Sequence, residues 1–196
     1  MSEESALSFR KLVSAMRTTE KAYWAHRDKK MLRQSIELEK RVDDIILKAD
    51  GSAVPQNDNG TFFLLVAELR ASTIQYFQEK KKAQPDKELV NTLFNTIKEK
   101  EAKLDKMLIR LQDEQIKKDG YSIHYQVMER LPRAHQARPV FSSMDEQLAK
   151  VELDDLYRHP DPPGTMYFIC KKYLGKDGKP LTEEEVDKII NNNLNS

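Results

Sequence analysis

Apolar residues recur at steps of three and four along two stretches of the chain, one starting at Phe9 and the other at Phe62. This spacing places them on one side of a helix, so both stretches predict amphipathic helices. A shift of 53 positions brings Phe9 onto Phe62 and Arg17 onto Arg70. The same shift aligns Leu12 with Leu65, Val13 with Val66 and Tyr23 with Tyr76. The chain therefore contains an internal repeat of a helical unit.

Each repeat predicts a helical hairpin. In the first repeat, Asp28 separates two apolar stripes, and its carboxylate is suited to capping the second helix. A segment rich in Gly, Pro, Asn and Asp at 49–61 predicts the loop to the second repeat. The later parts of the repeats also correspond, since 39–43 and 101–105 both begin with Glu and end with Asp. The predicted fold class is mainly α, with an antiparallel four-helix bundle over residues 1–119 built from two repeated helical hairpins.

Residues 120–196 predict a smaller mixed α/β extension. Apolar alternation from Tyr121 predicts a strand, and the composition of Met166–Leu174 predicts another. Capping patterns predict two short helices, one starting after Ser143 and the other after Thr182. We interpret this part as a C-terminal arm with short strands and two short helices. The arm is expected either to pack on the bundle or to reach onto another molecule. If Met166–Leu174 forms no sheet within the chain, it would complete one supplied by a partner.

Two features of the helical repeats have alternative explanations. Arg17 and Arg70 lie at the edges of the apolar stripes, which predicts that their alkyl stems pass the core while their guanidinium groups bind nearby carboxylates. The last helix of the second repeat carries apolar residues spaced by seven. Burial of that face inside the bundle explains the spacing, and a coiled-coil dimer is the alternative.

Composition limits the partners and the compartment. The 196 residues include 33 Lys and Arg against 32 Asp and Glu, so the net charge of +1 provides no global attraction for nucleic acid or acidic membranes. The single cysteine, Cys170, excludes an intrachain disulfide and favours a reducing compartment. No apolar run approaches the ~18 residues of a membrane span, and the start of the chain lacks a signal peptide pattern. We expect a cytoplasmic protein without membrane contact, or a virion component if a phage encodes it.

The candidates for catalysis are weak. The PD…ExK nuclease pattern, formed by Asp86 and Glu101, falls within one predicted helix, which separates the residues by roughly 22 Å. The four histidines lie in four different segments without a metal-ligating motif, so no metal and no cofactor are predicted. His159, with Asp161 nearby and Cys170 downstream, is the remaining nucleophile set, although a thiol in an apolar run predicts a buried, inert side chain.

One local cluster of basic residues stands out, because the stretch 117–138 has a net charge of +3 and contains interleaved tyrosines. Its members are Lys117, Lys118, Arg130, Arg133 and Arg138, with Tyr121 and Tyr125 between them. As an extended segment, it would follow a phosphate backbone and stack bases, and the alternatives are a solvated linker or an arm that clasps an acidic protein. We predict partner contacts at Arg130, Arg133, Arg138, Tyr121, Tyr125, Tyr167 and Phe168.

The string F-xx-LV-xx-MR-xx-EK-x-YW, which starts at Phe9 and continues in weaker form to Asp43, resembles short helical-hairpin proteins of unknown function from bacterial mobile elements and phages. The resemblance covers mainly the first hairpin and brings no catalytic residue. The function predicted is that of a non-enzymatic interaction or assembly protein, docking through helix faces and the C-terminal arm to a protein partner or to itself, as a structural component of a phage or mobile element. The alternatives are a nucleic-acid-associated accessory protein using 117–138 and an enzyme of unknown class.

Overall fold

The computed structural model describes residues 3–49, 57–160, 162–186 and 188–189. The protein is mainly helical and contains one three-stranded antiparallel sheet. The elements in chain order are α1 (Glu3–His26), α2 (Lys29–Lys48), α3 (Asp58–Lys80), α4 (Lys87–Lys118), β1 (Ser122–Arg130), β2 (Arg138–Ser143), α5 (Glu146–Arg158) and β3 (Met166–Leu174). Two compact units divide the chain, Met1–Leu111 and Gln112–Ser196, so the last two turns of α4 belong to the second unit.

All four helices of the first unit contribute to one buried cluster. Its members are Phe9, Leu12, Val13, Met16, Leu38, Val42, Phe62, Phe63, Val66, Leu69, Ile97, Leu104 and Leu111. The repeat is visible in this core, because the ring of Phe9 lies 6.1 Å from that of its counterpart Phe62 and 5.2 Å from that of Phe63. The residues spaced by seven along α4 contribute Ile97, Leu104 and Leu111 to the same core. Burial within the chain therefore accounts for the heptad-like spacing.

Side-chain caps fix the starts of the helices. The carboxylate of Asp28 accepts a hydrogen bond from the backbone N–H of Lys30 at 2.8 Å, which confirms its predicted role as the cap of α2. Asn57 caps α3 in the same way, accepting from the N–H of Gly60 at 3.1 Å. Because of this cap, α3 begins inside the predicted loop 49–61, so the predicted loop extended too far at its C-terminal end. Residues 50–56 lie outside the described part.

The second unit contains the sheet, with strand order β2-β1-β3. Val127 on the central strand lies opposite Phe141 of β2 and Ile169 of β3. A bulge follows Val127 in the pairing with β2, where the strand carries Pro139. β3 pairs with β1 along its whole length, so this run forms a sheet within the chain and does not require one from a partner. A further strand has less access to the outer edge of β3, since the hydroxyl of Tyr157 donates a hydrogen bond to the carbonyl of Tyr167.

One face of the sheet packs against helices. Ile123, Tyr125 and Val127 point to this covered face and pack with Ala149 of α5 and Ile116 at the end of α4. Alternation along β1 is therefore explained by a strand with one buried side. The predicted helix after Thr182 is present at 183–186, and its capping box is formed. Within the described residues, no helix has an apolar stretch long enough to cross a membrane.

Candidate binding face of the sheet

The two arginines of the repeat form structural ion pairs between the repeats. Arg17 of α1 donates to Glu101 at 2.8 Å and to Asp105 at 3.1 Å, and both acceptors lie on α4. Reciprocally, Arg70 of α3 donates to Glu39 at 2.8 Å and to Asp43 at 2.7 Å on α2. Each arginine therefore binds the Glu and Asp of the other repeat.

These guanidinium groups are buried, with 6% exposure for Arg17 and 7% for Arg70. Their predicted pairing with nearby carboxylates is confirmed. Burial on its own lowers the pKa of each arginine, but the hydrogen bonds and negative charges of the facing carboxylates outweigh it and raise the pKa of both. Both side chains stay charged and fully engaged, so neither is available to a ligand.

The predicted contact residues do not form one extended segment. Tyr125 is only 2% exposed and lies on the covered face, with the ammonium groups of Lys117 and Lys171 5.8 Å and 6.0 Å from its ring centre. Burial raises the pKa of Tyr125, and the nearby Asp113 adds to this effect. This ring has no room to stack a base. The segment 117–138 was predicted to be extended, but it consists of a helix end, a strand and a loop.

Three further predicted contacts are also engaged within the second unit. Tyr167 is 3% exposed and packs edge to face with Tyr157 at 5.9 Å. Arg138 donates to the buried Glu129 at 2.7 Å. Tyr121 is half-buried, and the Nζ of Lys176 lies 5.4 Å from its ring centre. Tyr167 is therefore unsuited to partner contact, because its strand position directs it to the covered face.

The opposite side of the sheet carries the other side chains of the same strands, and we call it the open face. Its residues on β1 and β3 are Ser122, His124, Gln126, Met128, Arg130, Met166, Phe168, Cys170, Lys172 and Leu174. Phe168 is 38% exposed and lies across from Met128, two residues from the end of the face where Arg130 pairs with Met166. Arg130 lies across from Met166, and its Nη2 is 3.0 Å from the Met166 Sδ. Near the other end, Lys172 lies across from His124.

The open face is basic as well as apolar. The two segments that form or flank it, 130–144 and 162–176, contain three arginines and three lysines but no Asp or Glu. Some of these cations are engaged on the covered face, because Arg138 binds Glu129 and Lys171 binds Asp113. The other four, Arg130, Arg133, Lys172 and Lys176, are exposed, and they form no ion pair within the described residues. The Lys176 ammonium lies over the ring of Tyr121. The face is suited to an anionic partner that also offers apolar surface.

Sequence reasoning missed part of this face. Lys172 and Met128 were not selected, because their importance depends on which residue of the neighbouring strand lies opposite. The available signal was the two-residue alternation of both strands, which separates Phe168, Cys170 and Lys172 from their buried neighbours. Phe168, Arg130 and Arg133 had been selected and are exposed.

The residues considered for catalysis have other roles or lie apart in the fold. Asp86 caps α4 by accepting from the N–H of Glu88 at 3.0 Å, while Glu101 binds Arg17. His159 ends α5 and is exposed, whereas Cys170 lies on the open face. Cys170 had been predicted to be buried, and it is exposed because its register places it on the uncovered side. Asp161 lies outside the described residues, and among those described no group of His, Cys, Asp and Glu is arranged to hold a metal.

No known protein family, curated protein or solved structure matches this chain. The resemblance of residues 9–43 to phage and mobile-element hairpin proteins therefore stays a prediction.

Proposed function

We propose that this chain is a non-enzymatic interaction protein that uses the open face of its sheet to bind an anionic partner. One observation carries the proposal. Three exposed cations, Arg130, Arg133 and Lys172, and two apolar side chains, Met128 and Phe168, are found on or beside a sheet face without any carboxylate in its flanking segments. In a protein with nearly equal numbers of acidic and basic residues, such a segregation of charge provides a local field for an anionic partner.

The helical unit supplies a rigid support in this proposal. We propose that its four helices form an antiparallel bundle, which is supported by the core shared among all four and by the reciprocal ion pairs of Arg17 and Arg70. Because the buried arginines of this unit are already paired with carboxylates, they stabilise its fold and are not available to bind a ligand.

Cys170 provides a direct test, because it is the only cysteine and lies on the open face. Its rate of reaction with an uncharged maleimide is measured with and without an anionic polymer, poly-L-glutamate or dextran sulfate. We expect the polymer to slow the reaction at low salt and the protection to disappear at high salt. The double variant Arg130→Ala, Lys172→Ala should lose most of the protection.

A matched control removes the same charges elsewhere. Lys40 and Arg41 are exposed on α2, in the other unit, so Lys40→Ala with Arg41→Ala should leave the protection unchanged. Equal reaction rates with and without both polymers at low salt would contradict the proposal.

Assembly is the second candidate function, and α5 favours it. Its outer side presents Leu148 and Val151, which are 55% and 66% exposed and are three residues apart on the helix. Met144, two residues before the helix, is 61% exposed. Apolar stripes of this kind mark contacts between proteins. The proposed occupant is a second copy of the chain, in the cytoplasm or, if a phage encodes the protein, in a virion. Light scattering should give a defined oligomer that becomes a monomer on Leu148→Lys. A monomeric native chain at high concentration excludes this candidate.

A further inference from the structure

We propose that the partner of the open face is single-stranded nucleic acid, with Phe168 stacking on a base and with Arg130 and Lys172 contacting phosphates. This inference rests on the interaction function proposed above and names the chemistry of the partner. It differs from the prediction that residues 117–138 bind as an extended segment, because it uses the sheet and includes residues of β3.

The open face carries an aromatic and an apolar side chain next to each other. Phe168 is the aromatic side chain of the open face and has Met128 directly across from it on β1. Aromatic side chains displayed on a sheet stack bases, since every base has a π-face and stacking tolerates any sequence. An acidic protein segment presents carboxylates and few flat apolar surfaces, so it would leave Phe168 and Met128 unused.

Cations lie on both sides of Phe168 along the open face. Arg130 and Lys172 lie toward opposite ends of the face, and the β1 positions Arg130 and His124 are separated by about 20 Å at the usual rise per residue. A phosphate backbone crossing the face along the strands would meet a cation near each end and the phenyl ring between them. Arg133, in the loop that follows Arg130, extends the basic end.

Two acidic groups of this unit are bound on the covered face. Arg138 binds Glu129 there, and Lys171 binds Asp113. These carboxylates therefore do not neutralise the cations of the open face. A strand of nucleic acid on that face would meet only positive charges on β1 and β3.

The test uses the full-length protein and a fluorescently labelled oligothymidylate of about fifteen nucleotides, within the usual range of site sizes. Anisotropy is measured at about 50 mM salt and again at about 200 mM, since three phosphate contacts predict a log–log salt slope of about −2. The expected result is saturable binding that weakens roughly sixteenfold between the two salt concentrations.

Variants of the open face identify the site. Phe168→Ala should weaken binding about five- to a hundredfold, as for other base-stacking aromatics, while Phe168→Trp should keep it. Arg130→Ala with Lys172→Ala should weaken binding and make the salt slope shallower by about 1.4. The controls are Lys40→Ala with Arg41→Ala and the substitution of an exposed phenylalanine of α3, Phe77→Ala, all of which should bind like the native chain. Circular dichroism checks that each variant is folded.

Three outcomes would overturn the inference. One is no binding up to about 100 µM protein, which is the weak end of ordinary non-specific affinity. Another is equal binding to a duplex of the same length, because stacking on Phe168 requires an unpaired base. The third is binding that the open-face variants leave unchanged. If poly-L-glutamate protects Cys170 while the oligonucleotide neither binds nor protects it, the nucleic-acid inference fails and the interaction function stands. If no anionic polymer protects Cys170, the interaction function itself fails.

Discussion

Two arginines of the helical unit and two cations of the sheet unit have opposite surroundings. In the helical unit, Arg17 and Arg70 are buried, and each is bound by two carboxylates of the other repeat. In the sheet unit, Arg130 and Lys172 point away from the core on a face without carboxylates. A paired, buried arginine specifies how two hairpins fit together. An exposed cation beside an apolar ring contributes little to folding, which makes it suitable for recognition. The following experiments test whether this division of roles is correct.

The largest effect is expected from the buried arginines. Arg17→Ala and Arg70→Ala should each lower the free energy of unfolding of the helical unit by about 3 kcal/mol, because each leaves carboxylates in a partly buried site without their cation. Urea unfolding followed by Trp24 fluorescence measures this, since Trp24 is the only tryptophan and lies on α1.

Lys21 provides a matched control for the same carboxylate. Its Nζ binds Asp105 at 2.9 Å, but its side chain is 59% exposed. Lys21→Ala should therefore cost less than about 1 kcal/mol, as for other surface ion pairs. If Lys21→Ala and Arg17→Ala have equal effects, the reciprocal pairs do not hold the repeats together.

A medium effect is expected where α5 packs on the sheet. Ala149 has 0% exposure against the covered face, so Ala149→Leu should overpack the site and lower the stability of the sheet unit by about 2 kcal/mol. The adjacent Leu148 is 55% exposed, and Leu148→Ala should change stability by less than about 0.5 kcal/mol. Hydrogen exchange of the β1 amides measures both. Similar exchange rates in the two variants would show that α5 does not cover this face.

A smaller, pH-dependent effect is expected on the covered face. Burial, the charge of Asp113 and a 3.5 Å hydrogen bond to its carboxylate raise the pKa of Tyr173 to about 12. Because the unfolded chain releases this proton near pH 10, the stability contributed by neutral Tyr173 should be lost as the pH rises from about 10 to about 12.

Spectroscopic titration of Tyr173 checks this sign, with Tyr173→Phe identifying its signal. Asp113→Asn removes the negative charge and should lower the pKa of Tyr173. A titration of native Tyr173 at the ordinary tyrosine pKa would show that its hydroxyl is not held against Asp113.

Local patterns predicted the helices and two of the strands, because amphipathic spacing and caps such as Asp28 depend on residues near one another in the chain. β2 was not predicted, since Pro139 interrupts its pattern and only pairing with β1 holds it as a strand. The correspondence of 39–43 with 101–105 was visible in the sequence. That Arg17 binds carboxylates of the second repeat and Arg70 binds those of the first was not visible. The repeat does not specify which hairpin supplies the carboxylates for each arginine.

The candidate site was predicted only in part, for a similar reason. Arg130, Arg133 and Phe168 were selected by charge and aromaticity, but so were Tyr125 and Tyr167, which are buried. Exposure on a strand alternates from one residue to the next, and it is decided by the side on which a helix packs. That packing involves Ala149 and Ile116, which are remote in sequence from β3.

The smallest effect on stability is expected on the open face. Phe168→Ala and the pair Arg130→Ala, Lys172→Ala should each change the free energy of unfolding by less than about 0.5 kcal/mol, because none of these side chains belongs to the buried cluster of the sheet unit. Hydrogen exchange of the β1 amides measures the change, with Ala149→Leu as the destabilised reference. A loss as large as that of Ala149→Leu would place these residues among the structural ones, and the contrast between the two units would disappear. Unchanged stability combined with lost oligonucleotide binding would assign the open face to recognition.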